Sequence, residues 1–133
     1  MDIIDKKIIY VLQGNSRTAF SKIAEDLGMS EAAIRQRVKK LKKSGEIKNF
    51  TIETKFSSMA IVAIQTSSNT PTKKIVEKMK NASIQKIYEV TGEYSLFVII
   101  GTENSEQLND VIEIIRSIEG VKDTKTFTIL KSV

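Results

Sequence analysis

The sequence predicts an α+β chain built from two small modules, three helices followed by a β-α-β-β-α-β unit. Three observations predict it. Before residue 50, apolar side chains recur at helical spacing between Gly14, Gly28 and Gly45. After residue 58, short stretches rich in Ile, Val and Phe alternate with two helical ones. Charge divides at the same place. Residues 1–56 hold 12 basic and 7 acidic side chains, whereas residues 57–133 hold 9 of each, so the whole net charge of +5 sits in the first part.

The first helix is predicted from Ile4, Ile8, Val11 and Leu12, which share one face. Asp2 is its expected cap, Asp5 suits the positive end of its dipole, and Gly14 is read as a left-handed stop. Thr18 is read as the cap of a second helix that turns Phe20, Ile23, Ala24 and Leu27 inward and ends at Gly28. Ser30 caps the third, with Ile34, Val38 and Leu41 inward and Gly45 closing it. Only Gly28-Met29-Ser30 separates the second helix from the third, the short glycine turn of a helix-turn-helix. Small Ala24 lets the helices cross closely, and Ile34 plugs the crossing. Ile47, Phe50 and Ile52 are β-prone and suggest a short strand or wing. Residues 1–50 are therefore read as a winged helix-turn-helix and residues 51–58 as a linker in which Phe56 packs.

That motif gives the cations a use. Arg35, Arg37, Lys39, Lys40, Lys42, Lys43 and Lys48 crowd one stretch with Glu46 as the only acid among them. A solvated helix face is the plain reading; a polyanion partner is the other. In a helix-turn-helix, the start of the second helix reads base edges in the major groove of double-stranded DNA. Ala32 and Ala33 then suit a thymine methyl, Arg35 a guanine and Gln36 an adenine. Lys39, Lys40 and Lys43 fall beside phosphates, with Arg17 and Lys22 flanking the second helix. Arg37 has two readings: DNA contact, or an internal pair with Glu25 or Asp26.

Residues 59–133 form the second module. Strands are expected over residues 59–66, 84–91, 95–100 and 121–130, and helices over residues 72–80 and from Asn104 or Ser105 to Gly120. Pro71 is placed at the first helical position. The order describes a ferredoxin-like βαββαβ domain, a four-stranded antiparallel sheet with both helices on one face. Phe97, Ile99, Phe127 and Ile129 leave apolar side chains for the other face, which implies a partner, most simply a second copy; the rival reading is a monomer with a patchy surface.

Three blocks make the chain resemble the Lrp/AsnC family of transcription regulators, the feast/famine regulatory proteins. One is Asp2-Ile3-Ile4-Asp5-Lys6-Lys7-Ile8. Another is Ile23-Ala24-Glu25-Asp26-Leu27-Gly28-Met29-Ser30, followed by residues 34–41 and Gly45-Glu46-Ile47-Lys48. The last is Val90-Thr91-Gly92-Glu93-Tyr94. The resemblance implies a DNA-binding regulator that dimerises through its C-terminal sheets, assembles into octamers or similar rings, and binds an amino acid where dimers meet. The effector site would map onto Gly92, Glu93, Tyr94 and Ser95, with Thr124 and Thr126 adding hydroxyls from a neighbouring dimer. Gly92 would present backbone amides to a carboxylate. Many members carry Asp where this chain has Ser95; Glu93 is a candidate replacement for meeting the ligand's ammonium group. The other reading of this turn is a plain β-turn with Tyr94 packed at an interface.

Composition excludes other classes. With no Cys and no His, there is no disulfide scaffold, no Cys/His zinc site and no nucleophile or base of those types. No acidic pair or glycine-rich phosphate loop suggests an enzyme, and no cofactor other than an amino-acid effector is expected. The longest apolar run, residues 59–64, is far too short to span a bilayer, and the acidic opening Met1-Asp2 lacks a secretory signal. A cytoplasmic protein with no membrane partner is expected. An effector-independent architectural DNA protein is the alternative to the regulator.

Overall fold

The computed structural model describes residues 1–81 and 83–133. The chain divides into two compact units, Met1–Thr54 and Lys55–Val133. Residues 51–54 of the expected linker thus fall with the helices, and residues 55–58 with the sheet.

The first unit consists of α1 (Ile3–Gly14), α2 (Phe20–Leu27) and α3 (Glu31–Lys43). Asp2 caps α1 more fully than expected. Its carboxylate accepts from the Asp5 N–H at 2.8 Å while the Asp5 carboxylate accepts from the Asp2 N–H at 3.3 Å, a reciprocal capping box. The turn after α2 follows from Gly28, whose φ of 66° opens the left-handed region. The Met29 N–H donates to the Ala24 carbonyl and the Gly28 N–H to that of Glu25, satisfying two orphan acceptors of α2. Ser30 then caps α3 by accepting from the Ala33 N–H. Ile8, Leu12, Ile23, Ala24, Ile34 and Val38 form the core, with Ile34 wholly enclosed.

Three local expectations need correction. Gly14 is the last residue of α1 but does not adopt positive φ; extended Asn15 ends the helix. Thr18 does not cap α2, because its hydroxyl donates to the Asn15 carbonyl, and Ala19 takes the cap position without a side-chain bond. The wing has no strand. Residues 45–57 form no β-ladder, since this unit offers no second β-prone segment to pair with. Ile47 folds back onto the core, its N–H on the Leu41 carbonyl, and Ser16 Oγ donates to the Thr51 carbonyl at 2.9 Å. Ile52 stays exposed.

The second unit runs β1 (Ser58–Thr66), α4 (Thr72–Met79), β2 (Ile84–Glu89), β3 (Leu96–Thr102), α5 (Ser105–Ser117) and β4 (Val121–Thr128). The sheet order is β2-β3-β1-β4, every neighbour antiparallel. Pro71 stands at the cap of α4, one position before the expected one. Alternation explains the core. Ala60, Val62 and Ile64 of β1 and Leu96, Val98 and Ile100 of β3 are fully buried, together with Ile75 and Met79 of α4 and Ile115 of α5. Of the intervening residues, Ile61, Phe97 and Ile99 are only half-buried although small Ala63 is covered, and Phe127 is 48% exposed. At the rim, the Phe56 ring lies on β3 at Gly101, where a β-carbon would stand 2.7 Å from it.

Candidate functional site

Ser30 and the Gly28 turn fix where α3 begins, and Ile34, Val38 and Leu41 fix which side of it is hidden. The opposite side is therefore determined. Ala32, Gln36, Lys39 and Lys43 follow one another at spacings of four, three and four residues, all exposed, along about 16 Å of helix. Arg35 flanks this row on one side and Lys40 on the other, both exposed. Ala33 is half-buried and turns toward α1, away from the centre of the row. Among the described residues, no ion pair engages Lys39, Lys40 or Lys43. Small Ala32 opens the row, so a flat surface can approach the helix start, and cations follow where the dipole's negative end tolerates them.

Most of the other candidate cations are already partnered. The Arg35 guanidinium meets the Glu31 carboxylate at 2.7 Å, one turn back, and lies 5.8 Å from the centre of the Phe20 ring. Lys22 pairs with Asp26 at 3.3 Å, and Arg17 is exposed beside the α1–α2 turn. Lys42, counted in the charge cluster but given no role, leans over the Phe50 ring at 5.5 Å. Arg37 departs most from expectation. Its Nη1 donates to Asp2 at 2.7 Å and to Asp5 at 3.1 Å, not to Glu25 or Asp26. The Arg37 hydrogen bond, then the Asp5 N–H, hold the Asp2 carboxyl below the usual aspartate range, and the same two aspartates raise Arg37. A groove of about 660 Å³ runs beside this pair, lined by Met29, Ala33, Gln36, Lys40 and the start of α1.

In the second unit, the turn between β2 and β3 holds Gly92 at φ 118°, which a side chain would disfavour. The turn is pinned at its base. The Val90 N–H donates to the Ser95 carbonyl and the Ser95 N–H to the Ile64 carbonyl, both at 2.9 Å. Thr66 Oγ1 donates to the Ser95 hydroxyl at 2.9 Å, and Gln65 Nε2 to the Glu93 carbonyl at 3.5 Å. Tyr94 meets Phe97 edge-on at 6.3 Å, while Glu93 is exposed. Thr124 pairs with Ile64 and Thr126 with Val62, so both lie on the helix-side rows of β4. With β1 between them and β3, about two strand spacings, near 10 Å, separate these threonines from the turn's strand. A single chain does not bring Thr124 and Thr126 to Gly92.

Known proteins bear on both units. Residues 1–42 match the AsnC-type helix-turn-helix domain, and residues 59–133 match the Lrp/AsnC ligand binding domain. The chain is 41% identical over 135 residues to the transcriptional regulator LysM of Saccharolobus solfataricus, covering 99% of this chain and 95% of that one. It superposes on AsnC of E. coli with a TM-score of 0.81 at 27% identity, covering 99% of this chain and 93% of the other. The L-Met complex of a transcriptional regulator from Neisseria meningitidis shares the fold, with a TM-score of 0.86 at 19% identity, over 100% of this chain and 92% of that one. No helix among the described residues is long and apolar enough to cross a membrane. A three-helix unit with an exposed cationic reading helix, a four-stranded antiparallel unit and these matches agree: the chain belongs to the Lrp/AsnC family of DNA-binding transcription regulators.

Proposed function

We propose that the chain is a sequence-specific, dimer-based regulator whose DNA binding or assembly responds to an amino acid. The row Ala32, Gln36, Lys39, Lys43 carries the DNA half of this reading. Its first two members stand where base edges are read and its last two where phosphates lie, with Arg35, Lys40, Arg17 and Lys22 at the margins. Two copies joined through the open sheet face, by Ile61, Phe97, Ile99 and Phe127, bring two such helices to one duplex, so paired half-sites are expected. Dimers assemble further into an octamer or a similar ring. The amino acid binds where dimers meet, its carboxylate at the Gly92 amides and its ammonium group at Glu93, with Tyr94 and Ser95 alongside and Thr124 and Thr126 supplied by the neighbouring dimer. Support comes from the match to a ligand binding domain and from the L-Met carried by a neighbour of the same fold.

One observation favours the effector-independent, architectural alternative. The Ser95 hydroxyl, standing where many members have Asp, already bonds Thr66 within its own chain. Selection of bound sequences from random duplexes, repeated with each of the twenty amino acids, separates the two readings. A recovered consensus whose affinity or assembly shifts with an amino acid is expected. Retention without any consensus, and no calorimetric heat from any amino acid, would leave the architectural protein.

A further inference from the structure

Arg37 sits about 130° around α3 from the middle of the exposed row, on the side that faces α1. Its side chain is 31% exposed and that of Asp5 only 17%. The two carboxylates it meets are themselves tied to each other's backbone by the capping box, so the anchor is a closed structure at the helix start. The guanidinium is already shared between two carboxylates, so a phosphate approaching Arg37 would have to compete with Asp2 and Asp5 for its donors. Apolar contacts among Ile8, Leu12, Ile34 and Val38 hold α1 and α3 together, but the hydrophobic effect behind them is non-directional and does not by itself tie one side chain to one partner. The groove beside Arg37 removes packing on that flank as well. A charge-assisted hydrogen bond is directional, and recognition of bases tolerates only about 0.5 Å of misplacement.

Resting on the DNA-binding reading and going beyond it, we infer that Arg37, Asp2 and Asp5 form a brace that sets the position of α3, and that Arg37 serves base recognition without touching DNA. Arg37 is a positioning residue, and the two aspartates of α1 belong to the machinery of sequence preference although they lie off the reading helix.

The test compares the affinity of the full chain for a duplex selected from a random pool with its affinity for an unselected duplex. In the Asp2→Asn/Asp5→Asn variant, asparagine keeps the cap but not the charge. Its selected-to-unselected ratio is expected to fall about tenfold while affinity for unselected duplex holds or rises. Arg37→Met should lose the ratio similarly, the triple variant should be no worse than either, and Arg37→Lys should recover most of it. Far-UV circular dichroism and melting establish folding, and binding is measured well below each variant's melting temperature. If the aspartate variant binds both duplexes more tightly with its ratio intact, Arg37 is a DNA contact released from its acids and the brace is wrong. The brace is equally wrong if Arg37→Met flattens the salt dependence on unselected duplex by about 0.9 and the losses add. Where Arg37→Met does not fold, an Arg37→Lys protein with an unchanged ratio and the aspartate variant with its tenfold loss still support the brace. A wild-type chain without preference for any duplex would sink the sequence-specific reading on which the brace rests; preference that survives every variant would sink only the brace.

Discussion

The two units of this chain each leave one face unfinished, and the two faces differ in chemistry. The helical unit hides Ile34, Val38 and Leu41 and turns Gln36, Lys39 and Lys43 outward. The sheet unit hides Val62, Val98 and Ile100 on its helix side and leaves Ile61, Phe97, Ile99 and Phe127 partly exposed on the other. One surface suits a polyanion and is useless for oily contact; the other offers apolar side chains in a unit whose acidic and basic residues balance, which on the proposed reading fits it to a second copy. The division of charge at residue 56 is therefore a division of labour, and each half can be attacked separately.

The largest effect should come from removing the support under the reading helix. Ile34→Ala is expected to destabilise the helical unit by about 2–5 kcal/mol in a denaturant titration, since Ile34 is completely enclosed. A midpoint within error of wild type would show that α3 does not depend on that contact. The sheet face comes next. Ile99→Lys should raise the dimer dissociation constant at least about 30-fold by light scattering or sedimentation, with circular dichroism unchanged. An intact dimer would move the interface elsewhere. Arg35→Ala should weaken binding to a selected duplex by about 1–3 kcal/mol and relax preference at one base position. Equal loss on random duplex would demote Arg35 to a phosphate contact. Lys40→Ala should weaken every duplex alike and reduce the slope of log affinity against log salt by about 0.9, so an unchanged slope would take Lys40 off the list of phosphate contacts. The smallest effect is in pH. The Asp2 carboxyl is held below its ordinary range by Arg37, so the stability it contributes is fully present above the unfolded value and lost only as pH falls through the lowered one. Melting temperature should show no Asp2-dependent change between pH 7 and about 5 and should part from that of Asp2→Asn only in stronger acid. A difference between the two that vanishes already near pH 6 would contradict the Arg37 pairing.

What could be read from residues alone was what depends on near neighbours. The Gly28-Met29-Ser30 turn, the Ser30 cap and the presence of strands β1 and β3 are set within a few positions, and the sequence carried them. Local competition was harder to see. Thr18 is a good cap by residue type, yet its hydroxyl is captured by Asn15, and nothing in the order of residues ranks those two bonds. The β-prone run around Phe50 lacked a partner strand, so propensity without pairing gave extended chain. The partners of Arg37 stand 35 and 32 positions away, a choice made by how α1 and α3 cross. Acids nearer in sequence, Glu25 and Asp26, were the natural guess and lose to that geometry. Thr124 and Thr126, expected at the Gly92 turn only from a neighbouring dimer, stand on a strand that β1 separates from the turn's own.

The bare backbone of Gly101 under the Phe56 ring is a size constraint shared between two sites 45 positions apart. A methyl group added at one must be answered by a smaller or displaced group at the other, so the pair should vary together across relatives, bulk moving from one to the other. Gly101→Ala alone should evict the ring into water, and a second change of Phe56 to a slimmer residue should undo part of the damage.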